Sequence, residues 1–473
     1  MKKNEINKLL KLPEQKKKRM SMGVHTDDKN RFFYYGAKIA GHDAIVTSDK
    51  NILVDNKKKI GKDTWAGKNE IPFKRDAVFY STDHDFDKET IREFFNSNKD
   101  HFPSQQSVQE LYEEIRSFIS ELIDLDEKDI ILLSLYVMGT YIYEVFHHFP
   151  SINVQAPKGS GKSKLASIMQ MISFRGKSAS DIGSITPAAL VRNIELYGGL
   201  LILDEYESSD IPEVKTLVNK VINAGVKRGK TVDVNVKEDG NWLPKPFNVF
   251  CPKIILAIES IHPVTLSRTL PIRMLRTRGV KGSRREDSRD MLSRANQIRH
   301  KLFFFAMEWW ELAEYISENI DVAFANNRDA DNFVALATLC YLVDDNLLNI
   351  LDLFYETRYL PVQQETDDLD GIFMLLLREQ ILLAKENLES YQKRDSFFKV
   401  AEIVDYVKNR GFEWMNERRS LSGYVGKRLQ SYGFRRKRSK EGVMYKIPLV
   451  KLDDVISRYW VDEYEKIVEG EKK

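Results

Sequence analysis

The stretch Ala156-Pro157-Lys158-Gly159-Ser160-Gly161-Lys162-Ser163 constrains this chain more than any other. A short apolar run over residues 152–155 precedes it and a helical pattern over 164–172 follows. Strand, glycine-rich loop and helix in that order make a P-loop. Gly159 and Gly161 let the backbone turn tightly and aim N–H groups at phosphate oxygens. The helix would then start beneath the phosphates with its positive dipole end toward them. These eight residues are the expected nucleotide cradle, with Lys162 reaching the β- and γ-phosphates and the Ser163 hydroxyl ligating Mg²⁺. One position departs from the pattern: Ala156 stands where the first glycine falls.

A second apolar run, Gly199-Leu200-Leu201-Ile202-Leu203, ends in Asp204-Glu205. A continuous apolar run reads as a buried parallel strand. Acids at its C-terminal end sit where open α/β sheets bind ligands. Asp204 would hold Mg²⁺ through water, and Glu205 would act as general base on the attacking water. The two motifs in this order predict ATP hydrolysis.

Composition bounds the partners. The 473 residues suffice for two or three domains, and a net charge of +3 points to no partner by global excess. Two cysteines, Cys251 and Cys340, form no disulfide framework or metal pattern, which suits a reducing, cytoplasmic compartment. The lysine-rich N-terminus lacks the apolar stretch of a signal peptide. The longest uncharged run, residues 130–143, is shorter than the roughly 20 residues a bilayer span needs, so no membrane partner is expected.

Along the chain, residues 1–22 read as a basic tail and 23–104 as a small β-rich unit. Its strands fall over 31–36, 44–47 and 51–54, with aromatics expected in its core rather than against bases. Residues 105–280 read as a helical lead-in and an α/β ATPase core. A stripe at Val108, Leu111, Ile115, Phe118 and Leu122 marks one helix, and Asp126 can cap the next, over 127–146. His147-His148 has no spaced companions for a metal. After the acid pair come a helix over 212–224 and a hairpin over 231–249 with its turn at 237–242. Lys227, Arg228, Lys230, Lys237 and Lys245 would hold a nucleic-acid backbone there while Trp242 stacks on bases. Residues 281–390 read as helical lid and linker. Residues 391–473 combine helices with a basic hairpin, a winged helix-turn-helix pattern. Lys427, Arg428, Arg435, Arg436, Lys437 and Arg438 concentrate its positive charge.

On these residues the chain resembles an AAA+ ATPase of the replicative-helicase type, closest to the MCM-like helicases of plasmids, phages and integrating cassettes. The resemblance covers roughly residues 105–460. It implies that Ser267-Arg268 corresponds to a trans-acting arginine finger, Arg328 to a second sensor arginine, and the hairpin to a DNA-contacting element. The family's first sensor is usually an asparagine; here Glu259 and Ser260 follow the strand, and Ser260 is the residue placed to position water. The resemblance further implies a homo-oligomeric ring, a hexamer, acting on single-stranded or forked DNA with ATP and Mg²⁺. Two other classes stay open: an ATP switch that loads or remodels proteins on DNA without unwinding it, and an origin-binding or regulatory protein on a nucleotide fold.

Overall fold

The computed structural model describes residues 22–26, 31–39, 42–54, 86, 88–97, 104–157, 159–179, 187–204, 212–238, 241–258, 261, 263–274, 285–325, 327–360, 373–384, 397–409, 421–439 and 442–459. They fall into two units, residues 1–360 and 361–473. The expected lid-and-linker segment 281–390 therefore divides between them.

Four strands open the first unit as an antiparallel sheet: β1 (Met22–Thr26), β2 (Arg31–Ile39), β3 (His42–Thr47) and β4 (Ile52–Val54). Phe33 and Tyr35 lie in the same hydrophobic core as the helices and the parallel sheet that follow, whereas Phe32, Tyr34 and Ile45 are buried outside that core. Arg175, at φ +44°, donates from its guanidinium to the Gly36 carbonyl at 3.1 Å and so ties this sheet to the α/β core that follows.

After α1 (Lys88–Asn96), α2 (Gln105–Leu122) buries the predicted stripe, and the Ser104 hydroxyl caps it by accepting from the Ser107 N–H. The next helix, α3 (Glu127–Thr140), is shorter than its periodicity predicts. Its end is fixed by Thr140, whose hydroxyl accepts from the Phe174 N–H at 3.0 Å, and only a 3₁₀ turn follows at Tyr143–Val145. The Tyr141 and Tyr143 hydroxyls then donate to the Ile172 and Gly198 carbonyls, bonds that a continued helix would carry away. Asp126 occupies the N-cap position without making the expected cap bond; its carboxylate pairs instead with Arg358 at 2.7 Å.

At the centre of the first unit is a five-stranded parallel sheet of order β11-β5-β10-β7-β6. Its strands are β5 (Ser151–Gln155), β6 (Lys177–Ala179), β7 (Leu201–Leu203), β10 (Lys253–Ala257) and β11 (Thr269–Arg273). Helices α4 (Lys162–Ile172), α5 (Pro187–Tyr197), α6 (Pro212–Ala224) and the short α7 (Pro263–Leu266) connect them. This is an α/β P-loop-like core. A two-stranded hairpin, β8 (Thr231–Glu238) with β9 (Asn241–Asn248), is inserted between α6 and β10. The ladder runs to Glu238↔Asn241, so Lys237 and Trp242 are paired strand residues rather than the expected turn.

The first unit closes with α8 (Arg289–Asn319), α9 (Asn327–Val343), α10 (Leu347–Phe354) and a π-turn at Tyr355–Tyr359. The second unit has its own core. It contains a helix over 373–384, here α11, then β12 (Phe397–Lys399), α12 (Val400–Asn409), α13 (Leu421–Ser431), β13 (Arg435–Ser439), β14 (Gly442–Lys446) and α14 (Leu449–Tyr459). Its antiparallel sheet has the order β12-β14-β13. Helix α11, expected in the linker, packs Phe373, Leu377 and Ile381 into this second core. The expected tail 1–21, the turn residues Asp239 and Gly240, and a short helix near 416–419 lie outside the described residues.

Candidate nucleotide site and nucleic-acid surfaces

The loop between β5 and α4 has the backbone that its sequence requires. Gly159 sits at φ +80° and Gly161 at φ +96°, the left-handed region that turns successive N–H groups inward as an anion cradle. Among the described residues a Cβ on Gly161 would meet only Met274, at 3.6 Å, while its φ of +96° is one that side chains rarely adopt. Ala156 needs no such freedom: it is not among the positive-φ residues, it is buried, and its N–H donates to the Ala257 carbonyl at 3.0 Å. The departure from the glycine pattern thus leaves the loop intact. Pro157 is exposed, and its carbonyl accepts from the Ser160 N–H at 3.2 Å. The Ser160 hydroxyl is buried in the loop and has no hydrogen-bond partner among the described residues. Lys162 and Ser163 form the first turn of α4, half-buried and exposed respectively. An orphaned buried hydroxyl, two left-handed glycines and a helix start together fit a phosphate-bearing ligand.

Asp204 follows β7, half-buried. Strand β10 lies between β5 and β7, so the P-loop, the Ile258 end of β10 and Asp204 share the C-terminal edge of the sheet. Lys158, Glu205, Glu259 and Ser260 lie outside the described residues, as does the side chain of Arg328, whose backbone belongs to the first turn of α9.

Arg268 lies at the other end. The register sets Thr269 opposite Ser151 and Arg273 opposite Gln155, so Arg268 precedes the first rung and the P-loop follows the last. Four residues of strand separate those rungs by about 13 Å, more than an arginine side chain spans. Arg268 donates to the Asn223 carbonyl, near the end of α6, at 2.6 Å. It borders a cleft of about 670 Å³ with His148, Lys220, Lys227, Asp331 and Asn332. Burial pushes the His148 imidazole down to about 4, against the pull of Asp331, so it is neutral near pH 7. No group of three metal-ligating side chains occurs among the described residues. Asn332 donates to the Ser267 carbonyl at 3.2 Å and to the Tyr359 hydroxyl at 2.9 Å, which in turn donates to Asp329 at 3.1 Å. Helix α9, which carries Arg328, is thereby fastened to the Arg268 turn.

The hairpin projects Trp242, 68 % exposed, across from Lys237 on its solvent face. Lys245 pairs with Val234 on the other face, so the expected contacts divide. Lys227 and Lys230 are exposed at its base. Arg228 is engaged differently: its guanidinium donates to the Glu144 carbonyl at 2.7 Å and the Val145 carbonyl at 3.3 Å. One residue beside the hairpin, at the start of β10, has a role that its place in the sequence does not signal. Lys253 is fully buried, and its ammonium donates to the Gly225 and Cys251 carbonyls, both at 2.7 Å, pinning the segments that enter and leave the hairpin. Its only trace in the sequence is a single charge opening an apolar strand. In the second unit, Arg435 to Arg438 are exposed on β13, while the side chains of Lys427 and Arg428 on α13 lie outside the described residues.

No family model and no curated protein matches the chain. Similar solved structures include the active helicase Cch of SCCmec type IV, at 12% identity and TM-score 0.39, over 93% of this chain and 96% of that one. The C-terminal region of NrS-1 in an apo form is similar at 14% identity and TM-score 0.28, over 64% and 85%. The JCV helicase with a bound thiazolopyridine compound gives 14% and 0.26, over 52% and 64%.

Proposed function

We propose that the chain is an ATP-driven DNA helicase or translocase of the MCM-like AAA+ type. It works as a homo-oligomeric ring, a hexamer, in replicating a plasmid, phage or other mobile element. The observation that carries this reading is that the P-loop and Arg268 sit at opposite ends of one sheet. A chain so built cannot bring its own Arg268 to its own nucleotide, but a second copy can. Offering one end of the sheet to the other end of a neighbour is a head-to-tail contact, and such contacts close into rings when the rotation closes.

In that assembly the loop from Ala156 to Ser163 cradles the triphosphate, and Lys162 neutralises charge that develops on the β- and γ-phosphates. Mg²⁺, held by Ser163 and Asp204, would supply the further charge neutralisation that phosphoryl transfer needs. Glu205 accepts the proton of the attacking water, and Ser260 orients that water. Arg268 of a neighbouring copy has donors to spare beyond its bond to Asn223. Arg328, on the helix fastened to that turn, is the second arginine of the site. The hairpins, with Lys227, Lys230, Lys237, Trp242 and Lys245 facing single-stranded DNA, move as the nucleotide state changes. The second unit acts as a winged helix-turn-helix that holds forked DNA through Lys427, Arg428 and the β13 arginines.

Strand displacement on a fluorescently labelled fork tests this. Wild type should unwind the fork only with hydrolysable ATP, and Glu205→Gln should bind ATP and DNA without unwinding. ATP turnover without strand displacement would move the chain to the class of loading and remodelling switches.

A further inference from the structure

Register divides the second unit's sheet into two faces. On one face Phe398 and Tyr445 are buried in the core of the unit. The other carries two cross-strand rows: Phe397, Lys446 and Arg435, then Lys399, Met444 and Lys437. Four of these six side chains are cations and none is acidic. Arg436 and Arg438 point the opposite way, beside Tyr445 and Val443, so the contiguous basic run in the sequence serves two surfaces.

The aromatic ring is the centre of the outer face. The Lys437 ammonium lies 5.1 Å from the Phe397 centroid and that of Lys446 lies 5.8 Å away. Phe397 is half-buried, and Arg435 and Lys437 are exposed. Cations gathered on one face favour a polyanion, whose condensed counterions are released on contact. An aromatic among such cations selects among polyanions. A duplex keeps its bases stacked on one another, whereas a single strand can offer a base to a surface ring. An acidic peptide would meet the cations but leave the ring without a partner.

We propose that this face is a binding site for single-stranded nucleic acid, with Phe397 under a base and Lys399, Arg435, Lys437 and Lys446 at the flanking phosphates. It rests on the reading of the second unit as DNA-binding and adds a strand specificity to it. A fork would then be held by its duplex at Arg436 and Arg438 and by one unpaired arm at Phe397.

The test uses the full chain without nucleotide, and the anisotropy of labelled dT20 and of a 20-base-pair duplex. Phe397→Leu should weaken dT20 binding by about ten-fold, the loss expected for one stacked base, and duplex binding by less than about two-fold. Photo-crosslinking with 5-iodouracil in dT20 should place an adduct on Phe397. Lys437→Ala with Lys446→Ala, which leaves the core untouched, should reduce the salt slope on dT20 by about 1.4, at about 0.7 per phosphate. It serves as the test should Phe397→Leu lower the melting temperature. Equal losses on dT20 and duplex would overturn the strand specificity, as would competition by poly-glutamate with no adduct at Phe397. Loss of duplex affinity in Arg436→Ala with Arg438→Ala, beside unchanged dT20 binding in the Phe397 variant, would overturn this proposal and leave the wider reading standing. No loss from any of these variants would overturn both.

Discussion

Asp129 and Lys253 take charged groups into the interior with opposite outcomes. Lys253 finds two carbonyls, whereas neither carboxylate oxygen of Asp129 has a hydrogen-bond partner among the described residues. Burial, against the attraction of Arg358 and Lys128 and with the repulsion of Asp126, raises the Asp129 carboxyl to about 7. The unfolded chain ionises this group near its ordinary pKa, so stability falls as pH rises from about 4 to about 7 and then levels. Asp129→Asn should therefore stabilise the protein at pH 8 by on the order of a few kcal/mol, an advantage that vanishes near pH 4. Urea titrations at the two pH values check it; equal stabilities at both would contradict the buried-acid account. Lys162→Ala should lower ATP turnover by about 10² or more while the melting temperature holds, because the lost charge acts on the transition state. Steady-state ATPase with a thermal melt decides that. The glycine-rich turn before Lys162 is legible in the sequence because a P-loop is local. The interior placement of Asp129 and Lys253 is not, because their surroundings are assembled from distant segments.

Among the elements, the hairpin shows what local pattern can and cannot specify. Its existence follows from the alternation over 231–236 and the return strand, but the length of its ladder does not. Pro244 and Pro246 sit two residues apart on β9, a spacing compatible with a strand only where those backbone positions face away from β8. They leave that edge without two donors and so blunt it against pairing with a neighbour's strand. Trp242→Ala should weaken single-strand binding by roughly 1–3 kcal/mol and leave the melting temperature nearly unchanged, because the ring is exposed. A large drop in melting temperature would make Trp242 a packing residue. Lys237→Ala with Lys245→Ala should abolish stimulation of the ATPase by DNA, measured as the ratio of rates with and without oligonucleotide. Helix α3 illustrates the other limit: apolar character continues past Thr140, and only the tertiary bonds of Thr140, Tyr141 and Tyr143 end the helix.

For the whole molecule, the order β11-β5-β10-β7-β6 gathers P-loop and acid at one edge and sends Arg268 to the other. The motifs were legible singly, but this polarity was not, because strand register is invisible in the sequence. The shared site is the central claim, and subunit mixing tests it most directly. Arg268→Ala and Lys162→Ala proteins, each inactive alone, are mixed under conditions where exchange between copies is shown by energy transfer, and ATPase is measured across the mixing ratio. Recovered activity that peaks at intermediate ratios is the predicted result, since some interfaces then join an intact P-loop to an intact arginine. Absence of recovery in freely exchanging copies would contradict it and return Arg268 to the end of α6 as a helix-capping residue of its own chain.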